Sequence, residues 1–442
     1  MSNQSTGVLE RLFHLSENNT TVKRECLAGL TTFVSMAYIL FVNPIILGDA
    51  GMDAGAVFTA LSAIMGCLLM GFLANYPIAI APGLGDNAFF TYSVVLAMGI
   101  PWQQAMGGVF VASILFTLVS LFKIREIIID AIPQDLKYAM AAGIGIFISF
   151  VGLQGGGIVV SDPSSLVAIG SFKVPTTWLT IFGLFVTAIL MAKKVPGSIF
   201  YGIVLTAIMG LVTQIIPPPE SIISMAPSLA PTFGIGVSNM TSILSDPQMW
   251  AVVVIFFLVA FFDTAGTLIG LAQQAGIMRN GKMPRIGRAL MADSLSMLGG
   301  AVMGTTPTAA YVESSAGIAV GARTGLTAIV VAVLFAFSMI FSPLLAVVTA
   351  QVTAPALIIV GVLMTSSLRE IHWDQFEVAF PAFMVIIGMP LTFNSSYGIA
   401  FGFLFYPILM MIAGRRKELN PLIWVMFVLF LVLLYTLTML KF

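Results

Sequence analysis

Four acidic residues, Asp86, Asp263, Asp293 and Glu313, stand inside long apolar runs, while the other Asp and Glu residues fall in polar connections or at the ends of runs. No His, Lys or Arg sits at mid-depth in those runs to neutralise them. A charged side chain at the centre of a bilayer costs roughly 2.5–3.5 kcal/mol on insertion scales, so such groups face a cavity and mark the path of a substrate or a proton. A carboxylate that is ionised in one state and protonated in another is also what proton coupling requires. Asp86, Asp263 and Glu313 are therefore the proton-coupling candidates.

Asp263 lies in FFDTAGTLIG (Phe261 to Gly270), where helical spacing places Asp263, Thr267, Gly270 and Gln274 along one face. That small polar stripe suits a substrate acceptor. It equally suits a packing face in which Gly266 and Gly270 admit a neighbouring helix. Glu313 opens the run that resumes after GTTPTAAYV, where an acid can take a substrate donor or complement the positive end of a helix. Asp293, in RALMADSLS, sits in an unbroken run and reads as a structural acid bonded to neighbouring Ser or backbone. Around Asp86, in APGLGDNAFF, Gly83 and Gly85 relieve the backbone and Asn87 offers both donor and acceptor. Phe89 and Phe90 add flat apolar surface there. Carboxylates that accept paired N–H donors, a half-helix N-terminus and an aromatic face together suit a planar heterocycle of purine type. A small anion would not suit three acids.

The elements that must carry these residues follow from composition. The chain has 442 residues, 59% of them hydrophobic and 9% charged, whereas soluble domains devote about a quarter to charge. Apolar runs long enough to cross a hydrocarbon layer of roughly 30 Å recur along it. Backbone groups in lipid must bond within their own segment, so the fold class is an all-α polytopic membrane protein. Punctuation places spans near 26–47, 55–75, 78–97, 103–122, 137–158, 177–192 and 196–216. A second set lies near 249–275, 288–303, 305–321, 324–345, 354–368, 376–393 and 396–414, about fourteen in all. A further run, 421–440, either spans or lies flat. The third and tenth spans are broken by Pro, Gly or Thr, and Asp86 and Glu313 follow the two breaks about half a chain apart. Paired interruptions of this kind point to two inverted halves and to the binding site between them.

Lys and Arg gather on alternate connections, which sets the N-terminus inside as a cytoplasmic tail over 1–22, without a cleavable signal pattern. Pro217 to Gln248 contains neither Lys nor Arg and reads as an external connection. The zero net charge offers no basic surface for nucleic acid. Cys26 and Cys67 read as buried small hydrophobes rather than redox or metal groups. His14 and His372 lie in polar flanks, which leaves no nucleophile–base pair or metal cluster for an enzyme.

Taken together, GLTTFVSMAYILFVNP (Gly29 to Pro44), APGLGDNAFF, FFDTAGTL, ADS (Ala292 to Ser294), YVESSAG (Tyr311 to Gly317) and TAPALIIVG (Thr353 to Gly361) resemble the nucleobase and ascorbate transporter superfamily. The resemblance is to its azaguanine-type purine permease branch, is closest to bacterial hypoxanthine and guanine permeases, and covers essentially the whole chain. It implies a seven-plus-seven inverted repeat with a core domain (23–122 and 249–345) and a gate domain (136–217 and 352–416). It also implies a homodimer in membrane lipid, proton symport without any other cofactor, and elevator-like movement of core against gate. By motif, Asp263 and Glu313 would hold the purine, with Gly85, Asn87, Phe89, Thr267 and Ser314 around it. Asp86 departs from the pattern, which has an apolar residue there. Either an additional carboxylate stands beside the purine, or Asp86 caps the half-helix and points away.

Overall fold

The computed structural model describes residues 7–52, 56–122, 133–195, 197–219, 221, 223, 228–241, 243, 247–277, 283–392 and 395–439. After a short α1 (Val8–Phe13), the Thr21 hydroxyl accepts the Arg24 N–H at 3.3 Å and so starts α2 (Val22–Met36). α3 (Ile39–Asp49) follows directly, and α4 (Ala56–Leu69) widens into a π turn over Met70–Ala74. Then come β1 (Ile80–Pro82), α5 (Leu84–Ala88) with a π continuation over Phe89–Ala97, α6 (Trp102–Leu121) and α7 (Gln134–Gly155). A hairpin of β2 (Val159–Asp162) and β3 (Leu166–Ile169) leads to α8 (Pro175–Ala192) and α9 (Ser198–Val212). The second half holds α10 (Ile235–Ser238), α11 (Pro247–Gln274), α12 (Ile286–Met303), β4 (Thr308–Ala310), α13 (Ser314–Val320) and α14 (Leu326–Ser338). It ends with α15 (Ala350–Met364), α16 (Phe376–Thr392), α17 (Ser395–Ile412) and α18 (Pro421–Met439). Five helical stretches among the described residues are long and apolar enough to cross a membrane, Val22–Asp49, Trp102–Leu121, Gln134–Gly155, Pro175–Ala192 and Ala350–Glu370.

The third and tenth runs differ from plain broken helices. Each begins as a three-residue strand, and the two strands pair antiparallel with Ile80 opposite Ala310 and Pro82 opposite Thr308. Proline lacks an N–H and breaks helical turns, and Pro82 and Pro307 stand where helices would otherwise continue. In a low-dielectric interior the extended main chain must find partners elsewhere, and here each strand supplies them to the other. The Gly83 N–H donates to the Pro307 carbonyl at 2.9 Å, and the Tyr311 N–H donates to the Ala79 carbonyl at 3.0 Å. Half-helices α5 and α13 leave this crossing.

Two further findings correct the sequence reading. Cys26 is exposed, because it lies on the face of α2 opposite Glu25, Ala28 and Thr32, which are turned into the protein; Cys67 is buried. The connection between the fifth and sixth runs forms the β2–β3 hairpin, closed by Asp162, whose Oδ1 accepts the N–H groups of Ser164 and Ser165 at 2.8 and 2.9 Å. Alternating apolar residues around an Asp-Pro-Ser-Ser turn were the available signal. In the segment before α2, Phe13 and Leu15 are buried against Leu326 and Ile329 of α14. The Asn75 amide donates to the Phe13 carbonyl at 2.9 Å and pins it there.

Candidate functional site

The strand crossing opens onto a chamber of about 740 Å³. Gly83, Leu84 and Gly85, at the start of α5, line it together with Glu313 and Ala316 at the start of α13 and Thr267 of α11. The facing wall is built from α7, α8, α9 and α15, through Ala141, Met191, Ile199, Val360 and Met364. Ser366, Ser367 and Lys194 also line the chamber. Glu313 and Lys194 are the charged residues among the described lining.

Glu313 stands at the N-cap of α13, yet its side chain accepts no capping bond. Its Oε1 instead accepts the Tyr38 hydroxyl at 2.6 Å. The half-buried carboxylate is therefore aimed into the chamber by a residue at the α2–α3 junction. α13 can approach α2 this closely because Gly317 has no side chain: a Cβ there would lie 2.7 Å from the Ala28 carbonyl oxygen and would also strike the Thr32 hydroxyl. On the other half-helix, a Cβ on Gly85 would come within 3.2 Å of Ile144 on α7.

The remaining sequence candidates separate by position. Asp263 is on α11 one turn before Thr267, so the two share a helical face; the side chain of Asp263 lies outside the described residues. Asn87 is buried, with the Thr306 hydroxyl bonded to its Oδ1, and so ties α5 to the segment before β4. The Ser314 hydroxyl accepts the Ala79 N–H at 3.0 Å and ties α13 to the segment before β1. Neither Asn87 nor Ser314 is part of the chamber lining. Phe89 is also absent from it: the ring is fully buried and meets Phe256 of α11 edge-on, with centroids 4.8 Å apart. The aromatic residues that do line the chamber are Tyr38 and Tyr311, and the Tyr311 hydroxyl donates to the Pro82 carbonyl at 2.6 Å. Asp86 is buried with its Oδ2 folded back to within 2.6 Å of the position a Cβ would take on Gly83, toward the start of its own half-helix. Asp293 is buried on α12 and accepts the Thr264 hydroxyl at 3.3 Å.

Sequence reasoning missed Tyr38 and Glu25. Glu25 is fully buried near the start of α2, where its carboxylate accepts the N–H groups of Arg323 and Thr324 at 2.9 and 3.3 Å and the Thr327 hydroxyl at 2.6 Å. It thereby holds the turn that follows α13 and begins α14. An acid inside VKRECLAGL, next to two basic residues, looks like a solvated membrane flank, so only its burial reveals it.

Comparison with known proteins places this geometry. A family model described as the permease family matches residues 23–401. The guanine/hypoxanthine permease PbuG of Bacillus subtilis is 53% identical over 434 residues, which cover 96% of this chain and 98% of that protein. The guanine/hypoxanthine permease PbuO of the same organism is 46% identical over 435 residues, covering 96% of this chain and 100% of that one. Among solved structures, the transmembrane domain of the cyanobacterial bicarbonate transporter BicA superposes with a TM-score of 0.65 at 16% identity, covering 86% of this chain and 97% of that one. That likeness shows the fold alone. The relatives are permeases rather than enzymes. A crossing of two short strands, a chamber between two sets of apolar helices and a match over most of the length converge, and the chain belongs to the nucleobase/ascorbate transporter family of multi-pass membrane permeases.

Proposed function

We propose that the chain takes up purine nucleobases across the cell membrane, with hypoxanthine and guanine as the favoured substrates and adenine as a further candidate. The observation that carries this reading is the Glu313 carboxylate in a chamber that Thr267 and the backbone opening α5 also line. A carboxylate and a hydroxyl can take the N–H and carbonyl groups along one purine edge. The names of the two Bacillus subtilis relatives support the same substrate class. Asp263 supplies the second carboxylate, and Gly85 lets the substrate approach the main chain. Asn87 and Ser314 hold the two half-helices in place, and Phe89 backs α5 from behind.

The transport cycle that goes with this site is proton symport, with Asp263, Glu313 and Asp86 as candidate proton carriers. Purine and proton favour the same state, and such coupling is reciprocal. Residues 23–122 and 249–345 act as the core domain, residues 136–217 and 352–416 as the gate, and the core moves against the gate in an elevator-like step. The two halves form a seven-plus-seven inverted repeat, the working unit is a homodimer, and the N-terminus is cytoplasmic. An anion carrier on the same fold is the alternative; Lys194 as well as Glu313 lines the chamber, and what disfavours that reading is that the two Bacillus subtilis relatives are named guanine/hypoxanthine permeases. Uptake of labelled hypoxanthine by cells expressing the chain tests the proposal. A protonophore should collapse accumulation, and Asp263→Asn should lower uptake by about tenfold or more, as expected for losing a hydrogen bond to a charged group. Uptake indifferent to both refutes it.

A further inference from the structure

Tyr38 reaches the chamber from the opening motif, 275 residues from Glu313 in sequence, and is only 1% exposed. Its 2.6 Å bond to Glu313 Oε1 has the length of a hydroxyl donating to a carboxylate. A carboxylate that is not tethered turns broadly about its terminal torsion and accepts donors from many directions. Glu313 makes no capping bond on its half-helix, so the Tyr38 hydroxyl, together with the main-chain N–H of Glu313 itself, sets the direction of the carboxylate.

From this geometry we propose that Tyr38 is a positioning residue. It occupies one oxygen of Glu313 and presents the second oxygen alone to the N–H edge of the purine. The inference rests on the purine reading above and assigns Tyr38 no contact with substrate of its own. Ligands whose N–H points along the open lone pair are then preferred over those whose N–H does not, so Tyr38 acts on selectivity as well as affinity.

The test is equilibrium binding of labelled hypoxanthine to the purified full-length protein, for wild type, Tyr38→Phe, Glu313→Gln, Glu313→Ala and the double variant of Tyr38→Phe with Glu313→Ala. A Kd is read from the folded fraction only, so partial unfolding does not imitate the effect. Tyr38→Phe should raise Kd about tenfold, equivalent to ~1.4 kcal/mol, and should narrow the preference for hypoxanthine over adenine. The double variant should bind no worse than Glu313→Ala alone, because Tyr38 acts through Glu313 and alanine leaves it nothing to hold, whereas a general structural role would add its cost to the second substitution. A Kd for Tyr38→Phe within about twofold of wild type while Glu313→Gln is impaired, or additive costs in the double variant, overturns the proposal. Wild-type binding by Glu313→Gln overturns the purine reading itself, an outcome distinct from failure of Tyr38→Phe alone.

Discussion

Glu25 offers the sharpest test of how the site is held. Three donors converge on its buried carboxylate: Arg323 N–H on Oε1, and Thr324 N–H and the Thr327 hydroxyl on Oε2. Each buried donor left without a partner costs roughly 1–3 kcal/mol. Glu25→Ala removes all three bonds and strands the two main-chain donors, while the Thr327 hydroxyl keeps the Glu25 carbonyl as an acceptor at 3.4 Å, so it should destabilise the protein by at least about 2 kcal/mol. Glu25→Gln can keep its single oxygen in the Oε2 position and retain two of the three bonds. Its amide then faces the Arg323 N–H, so the loss should be about 1–3 kcal/mol. The readout is unfolding of the purified protein in SDS mixed micelles, followed by tryptophan fluorescence. Because these bonds hold the turn after α13, the folded fraction of Glu25→Gln should also bind hypoxanthine more weakly. Equal unfolding of Glu25→Ala and wild type would refute the argument, and so would Glu25→Gln as unstable as Glu25→Ala.

The other expectations follow from single contacts. Gly317→Ala forces a methyl against the Ala28 carbonyl oxygen and the Thr32 hydroxyl, so it should cost about 1–3 kcal/mol of stability and weaken binding by displacing Glu313; Thr32→Ala should rescue it only in part, since the carbonyl stays. His372 Nδ1 lies 2.9 Å from Asp135 Oδ1, and this hydrogen bond, with the carboxylate charge, holds the exposed imidazole above its ordinary range. A raised pKa stabilises the folded state fully below about pH 6.5, and that contribution is lost as pH rises through the folded value. With His14 and His372 the only histidines, NMR of histidine-labelled protein should show His372 titrating above the ordinary imidazole range and moving downward in Asp135→Asn; no difference between the two proteins refutes the pairing. In Phe89→Leu, the ring lost from the Phe256 contact should cost stability while hypoxanthine Kd stays within about twofold, and a larger change in Kd would place Phe89 at the substrate after all.

Much of this protein was legible in its residues because desolvation acts on each segment separately. A run of apolar side chains long enough to span lipid must be helical whatever surrounds it. An acid inside such a run must face something polar, and one of the acids singled out that way, Glu313, lines the chamber. The Pro, Gly and Thr residues that interrupt the third and tenth runs likewise announced where regular helix ends. Tertiary structure alone decided what those interruptions become. Extended backbone needs partners, and β1 finds them in β4, more than two hundred residues away. Tyr38 meets Glu313, Phe89 turns onto Phe256 rather than into the chamber, and Cys26 faces outward while Glu25 beside it is buried. Which face of a short half-helix meets a cavity depends on contacts made by distant segments, and local periodicity carries no information about them.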